Sequence, residues 1–308
     1  LNPENSFIPI ARKRGVTAAL TAPGEGNLLS GQSALIHLSG KTMEEMVVKF
    51  PVAVHGSLGE MPKLRYGKKG KMPSTRMGEA VLLRQTLIDA QNYLSEILDY
   101  EKKLEEYKKK EKEREANPSD KPFPPSTDFK LRSLIPVIKG EMFLALRANR
   151  LDDILTALRI AEEFHLKIII NHGADAYKVA DKLSSRNIPV LVGPVASYFQ
   201  MLETRGALYE NVVRLHKAGV KIAFQTGSVK NGSDLLYQAE MAVNYGLPYE
   251  EAIKAMTLYP AQIFGVESKL GSLDKGKIAN VVIFEGDPLK RLSKVRMVII
   301  KGEILEKQ

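Results

Sequence analysis

The sequence predicts an α/β fold in which strands and helices alternate around a parallel sheet. Short runs of β-branched and apolar residues recur along the chain, amphipathic helical runs lie between them, and the C-terminal tail changes to turn-rich strands. The runs predicted as strands of the main sheet are Val16–Thr21, Phe50–Val54, Met142–Leu146, Lys167–Ile170, Pro189–Val192 and Lys221–Phe224. A closed (β/α) barrel has eight strands, so these six account for most of one.

Length and composition limit the size of the fold and the kinds of site that it can contain. With 308 residues, of which 44% are hydrophobic, the chain has the size of one large α/β domain and a small appendage. It contains no cysteine, which excludes disulfides, thiolate-bound zinc and a cysteine nucleophile. Any metal would therefore be bound by His, Asp, Glu or Lys.

Charge and hydropathy limit the partners. The formal charge of +9 comes from scattered basic residues with few aromatic neighbours, so we expect no nucleic-acid partner. No run approaches the roughly 20 apolar residues of a membrane span, and the N-terminus lacks a basic-then-apolar signal pattern. The chain begins at Leu1, which predicts a processed or partial chain, so the cytoplasm and the periplasm both stay open.

Helical patterns separate the strands. Residues Met77 to Glu115 predict one long helix that becomes highly charged after Tyr100, and prolines follow it, so 101–127 is interpreted as a surface insertion. Leu151 to Phe164 predict an amphipathic helix with Asp152 as its N-cap. Three more helical runs follow the sixth strand. These runs are Leu235–Tyr245, Tyr249–Thr257 and Pro260–Phe264.

The C-terminal tail predicts a small antiparallel sheet. Its strands are predicted at Val281–Phe284, Val295–Ile300 and Glu303–Leu305, with turns at Gly271–Gly276 and Gly286–Pro288. A sheet this small needs a partner, and we expect none earlier in the chain.

Short motifs in order along the chain carry a family resemblance. Those near the C-terminus are Ala252–Thr257, Pro260–Ala261, Gly265–Val266, Gly271–Leu273, Gly276–Lys277 and Asp287–Leu289. Those before them are Asn2–Glu4, Gly15–Thr17, Pro23–Gly24, Gly31–Gln32, Ser57–Glu60, Pro73–Gly78, and Arg150 with Asp152–Ile154. Together they resemble the imidazolonepropionase-like metal-dependent hydrolases of the amidohydrolase superfamily over nearly the whole chain.

The resemblance implies a (β/α)8 TIM barrel with a small β-sandwich assembled from both ends of a longer chain. Residues 1–264 would then form the barrel, incomplete at its N-terminus and carrying the insertion 101–127. Residues 265–308 would form the C-terminal part of the composite sandwich. About two barrel strands, the first His-x-His metal pair and half of the sandwich are expected to be missing.

The resemblance also implies metal ligands, and most of these positions are altered. Arg147 and Asn149 stand where the family has histidines, and Gly227 stands where it has the aspartate that binds metal and accepts a proton. Arginine has no lone pair to donate, and the neutral Ser228 cannot replace the aspartate as a base. His172 keeps a ligand position, although a histidine before a glycine is equally typical of a loop residue bound to backbone.

The remaining candidates are weaker. His55 ends a predicted strand and is the best extra ligand, whereas His37, His165 and His216 show no ligand spacing. Arg150, Glu60 and Lys63 are interpreted as candidate contacts to substrate or to the metal ligands, although for Glu60 and Lys63 we favour ordinary salt bridges. Asp234 is interpreted as the start of a helix. The glycine-rich run 23–31 is interpreted as a loop that the resemblance implies, because it lacks the spacing of a phosphate-binding loop.

Two functions remain open on the sequence alone. One is metal-dependent hydrolysis of C–N bonds in cyclic amides or dipeptide-like substrates, with zinc as the expected divalent metal. The other, which we favour, is a catalytically silent barrel (a pseudoenzyme) that is a structural or regulatory partner of an active amidohydrolase or of a larger assembly. A homo-oligomer, or an assembly with a related chain, is expected in either case.

Overall fold

The structure, a computed structural model, describes residues 2–113, 117–194, 202–227, 235–290 and 293–307. The strands are β1 (Ala18–Thr21), β2 (Leu29–Gln32), β3 (Ala34–His37), β4 (Val47–Lys49), β5 (Ala53–Ser57), β6 (Phe143–Ala148), β7 (Ile168–His172), β8 (Val190–Val192), β9 (Ile222–Phe224), β10 (Val281–Glu285), β11 (Lys294–Ile300) and β12 (Glu303–Lys307). The helices are α1 (Phe7–Lys13), α2 (Met43–Met46), α3 (Glu60–Gly67), α4 (Arg76–Lys112), α5 (Phe129–Ile138), α6 (Leu151–Glu163), α7 (Ala180–Ser185), α8 (Asn211–Lys217), α9 (Leu235–Asn244), α10 (Tyr249–Met256) and α11 (Leu258–Ile263).

The main sheet has six strands in the order β2, β5, β6, β7, β8, β9. Strands β5 to β9 are parallel neighbours, and β2 pairs antiparallel with β5. One face packs on the helices, with Leu144 and Ile170 in the same cluster as Leu87 and Ile154. The opposite face forms the barrel interior, lined lower down by small and apolar residues such as Ala145. The predicted α/β barrel architecture is confirmed, with five of the six predicted strands found as β5 to β9.

The remaining predicted strand, Val16–Thr21, is found as β1, but its expected place in the main sheet is wrong. β1 does not enter the main sheet but pairs antiparallel with β3 in a separate sheet of the order β1, β3, β4. The edge of the main sheet is formed instead by β2, in the glycine-rich run that the sequence suggested was a loop. An apolar β-branched run predicts a strand, but it does not say which of two sheets the strand joins.

The C-terminal strands β10, β11 and β12 form the predicted antiparallel sheet. The expectation that no partner sheet lies earlier in the chain is wrong. Buried Ile36 and Met46, from the N-terminal sheet region, share a hydrophobic cluster with Val298 and Ile300 of β11. We call this cluster and its two sheets the two-sheet region. The domain division at residue 264 stays a prediction.

Helix α4 is 37 residues long, which confirms the predicted long helix. The Thr75 side chain caps it by accepting a hydrogen bond from the Gly78 N–H, and its buried face extends to Tyr93, after which it is mostly exposed. Helix α6 begins after Arg150, so the prediction of Asp152 as N-cap is wrong, and Asp152 lies in the first turn. Within the described residues, no helix has the length and apolarity to cross a membrane.

Candidate functional site

Polar side chains collect where the parallel strands β5, β6 and β7 end. The strand register places Ser57, Arg147 and Asn171 side by side, one residue from each strand, and His55 lies one layer below them. All four are buried, with at most 7% of each residue exposed. The carboxyl ends of barrel strands are where sites of this fold form, so we call this region the barrel mouth.

Arg147 is the central charge of the barrel mouth. Its Nε lies 3.0 Å from Glu25 Oε2, and its Nη2 lies 2.5 Å from Glu203 Oε1. Glu25 comes from the loop before β2, and Glu203 from the short helical turn after β8, so one guanidinium ties three distant segments together. The side chain of Arg147 is 4% exposed and that of Glu203 is fully buried, so this pair is shielded from solvent, whereas Glu25 stays partly exposed.

Glu25 also binds His172. The His172 Nε2 lies 2.5 Å from Glu25 Oε1. Burial disfavours the charged form of Glu25, but the hydrogen bond with His172 and the positive charges of His172 and Arg147 outweigh it and hold the pKa of Glu25 below its ordinary value. His172 also stands beside Gly227, because a Cβ built on Gly227 would lie 3.5 Å from His172 Cε1. The structure therefore brings together two of the positions that the resemblance assigned to metal, His172 and Gly227.

Asn149 is engaged at both ends of its amide. Its Nδ2 donates to Glu203 Oε1 at 2.8 Å, and its Oδ1 accepts from the Ala174 N–H at 3.4 Å. Glu203 additionally accepts the backbone N–H of Glu60 at 2.9 Å. The carboxylate of Glu203 thus connects the loop after β5 with the end of β6.

His55 is held neutral in the barrel interior. Burial lowers its pKa to about 4, against the opposing effect of the Glu25 charge. Its Nε2 has no hydrogen-bond partner among the described residues, and the same is true of Ser57 Oγ and Asn171 Oδ1. Buried polar atoms without protein partners are typical places for ordered water or a bound molecule.

The other predicted site residues contribute less. Arg150 is exposed and pairs with Asp152 at 2.9 Å, outside the buried network. Glu60 contributes its backbone N–H, and the backbone of Lys63 hydrogen-bonds Glu79.

The remaining histidines lie elsewhere. His37 Nδ1 accepts a hydrogen bond from Asn280 Nδ2 near the two-sheet region, His165 follows α6, and His216 lies near Glu251. Ser228 and Asp234 fall outside the described residues.

Sequence reasoning missed both carboxylates that hold Arg147. Glu25 lies in the glycine-rich run that was interpreted as a loop, and Glu203 lies in a stretch with no clear periodicity. A buried arginine is stable only when carboxylates pair with it, so an arginine at a strand end was the available indication that such partners exist.

Comparisons with known proteins agree with this architecture. The family model described as amidohydrolase family matches residues 168–305. The crystal structure of an amidohydrolase from Thermotoga maritima MSB8 is similar with a TM-score of 0.89 and 35% identity, covering 100% of this chain and 76% of that one. The fold defines an α/β-barrel protein of the amidohydrolase type. The chain belongs to the amidohydrolase family.

Curated relatives match over shorter stretches. Amidohydrolase tasK of Hapsidospora irregularis is 30% identical over 166 residues, which is 43% of this chain and 17% of that protein. Imidazolonepropionase of Flavobacterium psychrophilum is 29% identical over 123 residues, which is 39% of this chain and 27% of that protein. The matches therefore cover well under half of either relative.

The family generally binds divalent metal, but the barrel mouth of this chain does not suit a metal ion. The guanidinium of Arg147 stands between the carboxylates of Glu25 and Glu203, where it would repel a divalent cation. His172 directs Nε2 at Glu25, and the amide of Asn149 is occupied at both ends. Across the described ranges, no group of three or more His, Asp or Glu side chains is arranged to hold a metal ion.

Proposed function

We propose that this chain is an amidohydrolase-type barrel whose own mouth is catalytically impaired, and that it acts as a structural or regulatory partner of an active amidohydrolase or of a larger assembly. The observation that carries this proposal is the ion-paired Arg147, which places a permanent cation where the family resemblance expects a metal ligand. Its partners come from two segments far apart in the chain. Arg147 therefore stabilises the fold in the way that a bound cation would.

A position for the catalytic base is also lost. The resemblance expects an aspartate at Gly227, which lies against His172 and against the ring of Pro194. Glycine supplies neither a ligand nor a proton acceptor, so activation of water at this position has no group to perform it. This supports impairment independently of Arg147.

The second candidate function is hydrolysis of C–N bonds in cyclic amide or dipeptide-like substrates. It is favoured by the 35% identity to the Thermotoga maritima amidohydrolase over the full length of this chain. It is also favoured by the unpartnered polar atoms of His55, Ser57 and Asn171 in the barrel interior. In this case His172 and His55 would contact metal or substrate, with zinc the expected ion, after Glu25 and Arg147 had moved.

The test is the metal content of the purified protein, measured by elemental analysis after dialysis against a weak chelator. We expect far less than one zinc, iron or manganese per folded chain, and no hydrolysis of a panel of cyclic amides and dipeptides. Near-stoichiometric metal that disappears in His172→Ala would overturn the proposal and establish the hydrolase. Circular dichroism would verify that both proteins are folded.

A gain-of-metal variant sharpens this test. Arg147→His with Asn149→His removes the guanidinium and restores two imidazoles, and Arg147→Gln with Asn149→Gln is the matched control without ligands. Zinc retained by the first variant alone would indicate that these two substitutions account for the missing site. If the unaltered protein binds as much zinc as the imidazole variant, the impairment proposal is wrong.

Assembly with itself or with a partner is tested separately, by measuring the mass of the purified chain in solution. Sedimentation or light scattering of the purified chain should give a mass above that of the 34.2 kDa monomer if it assembles with itself. A strictly monomeric chain that also fails to bind a related amidohydrolase would contradict the partner role.

A further inference from the structure

Three buried carboxyl groups meet at Gly59, just after β5. The Gly59 N–H donates to Glu79 Oε2 at 2.8 Å. A Cβ built on Gly59 would lie 2.7 Å from Asp153 Oδ2 and 2.9 Å from Glu203 Oε2, so both oxygens face the same point. Each of these three acidic residues is at most 3% exposed. They come from α4, from α6 and from the turn after β8, and we call them the carboxyl cluster.

The cations around the carboxyl cluster neutralise two of its members. Arg76 makes a bidentate pair with Asp153, at 2.8 and 3.2 Å. Arg147 pairs with Glu203. Within the described parts of the chain, no ion pair reaches Glu79.

The remaining contacts of Glu79 are backbone groups. Its Oε2 accepts the Gly59 N–H, and a backbone hydrogen bond from Lys63 also reaches the carboxyl group. Its Oε1 is buried and has no hydrogen-bond partner among the described residues. A buried carboxylate with neither a cation nor full hydrogen bonding is costly, and a proton removes most of that cost.

Burial and the charges around Glu79 determine the direction in which its pKa shifts. Burial raises the pKa of Glu79 to about 7, and the negative charge of Asp153 adds to this. The hydrogen bonds from Gly59 and Lys63 and the positive charge of Arg76 oppose it. Farther out, Asp152 lies 3.8 Å from Arg76 and competes for its charge.

We propose that Glu79 is a proton-binding group and that its proton controls how firmly the loop after β5 is held by α4, α6 and the turn after β8. With the proton bound, the carboxyl cluster carries two negative charges opposite Arg76 and Arg147. After the proton leaves, a third negative charge is trapped beside Asp153, and the repulsion between the carboxyl groups loosens the cluster although the Gly59 N–H bond itself favours the charged carboxylate. The loop leads directly into α3, whose first residue, Glu60, donates its N–H to Glu203, so the change reaches the barrel mouth.

The experiment compares the wild-type chain with Glu79→Gln over pH 5 to 8.5, by melting temperature. Glutamine keeps the acceptor for Gly59 and mimics the protonated acid. The folded-state pKa lies above the ordinary value, so the wild type loses stability as the pH rises through about 7. The melting temperature of the variant minus that of the wild type should therefore increase by several degrees from pH 5 to pH 8.5. Because His55 and the other titrating groups are present in both proteins, their contributions to the pH dependence cancel in this difference.

The matched control is Glu163→Gln, a half-exposed carboxylate on α6 that pairs with Arg84. Its difference from the wild type should stay flat over the same range. A second measurement needs no variant: carbon NMR of wild-type protein labelled at the glutamate carboxyl carbons should show one buried resonance that titrates near neutral pH. The proposal is overturned if every glutamate titrates below pH 5, or if Glu79→Gln and Glu163→Gln show the same flat difference.

Discussion

The barrel mouth and the two-sheet region are both assembled from distant parts of the chain, but they are held by different forces. In the two-sheet region, Ile36 and Met46 bury apolar surface against Val298 and Ile300. In the barrel mouth, Arg147 joins Glu25 to Glu203. The difference teaches that one end of this fold depends on the hydrophobic effect, which is insensitive to pH, while the other depends on charges whose balance pH can change.

The largest effect is expected from removing the central cation of the barrel mouth. Arg147→Met leaves the buried Glu203 and the partly exposed Glu25 without their guanidinium and should lower the free energy of unfolding by about 3 kcal/mol, mostly through the stranded charge of Glu203. Arg150→Met is the control, because Arg150 pairs with Asp152 at the surface and its loss should cost roughly 0–1 kcal/mol. Urea unfolding of the three proteins measures this. Equal losses in both variants would mean that the buried network contributes no more than a surface pair.

The next largest loss of stability is expected in the two-sheet region. Met46 is fully buried, so Met46→Ala should lower the free energy of unfolding by roughly 3 kcal/mol through lost contacts and a cavity. Because no charge is involved, the loss should be the same at pH 5 and pH 8, whereas the loss in Arg147→Met should change with pH. Urea unfolding at both pH values tests the contrast. A pH-dependent loss in Met46→Ala would show that the two regions are coupled.

The sequence predicts features that depend on neighbouring residues, but it does not predict contacts between segments that lie far apart in the chain. The apolar alternation of β10 and β11 identifies strands locally, so the tail sheet was predicted from a few residues each. Its partner sheet was not predicted, because β3 and β4 are short and neither sequence shows which strand the other pairs with. The ion pairs of the mouth are less predictable still, since Glu25 and His172 lie 147 positions apart and pairing of that kind has no local pattern.

A smaller effect should appear in the acid range at His55. Its folded-state pKa of about 4 lies below the unfolded value, so the wild type should lose stability as the pH falls from about 6.5 toward 4, by roughly 2 kcal/mol. His55→Gln cannot take up that proton and should remove this part of the slope. Free energies of unfolding at pH 4.5 and pH 7 measure it, with the exposed His165→Gln as control. An unchanged slope in His55→Gln would mean that folding does not lower the pKa of His55.

The smallest effect concerns the position where the resemblance expects an aspartate. Gly227 has φ +69° and a built Cβ would lie 2.8 Å from Pro194 Cδ, whereas Gly140 has the same φ of +69° and open space around it. Gly140→Ala should therefore lower the free energy of unfolding by about 1 kcal/mol for the left-handed backbone alone, and Gly227→Ala by about 2 kcal/mol because the Pro194 ring must also move. Thermal or urea unfolding separates the two. If the variants cost the same, the backbone at Gly227 could accept a side chain freely, and an aspartate could return there without a change of shape. If Gly227→Ala costs more, the mouth has adapted to glycine, and adding the carboxylate alone would not rebuild the site.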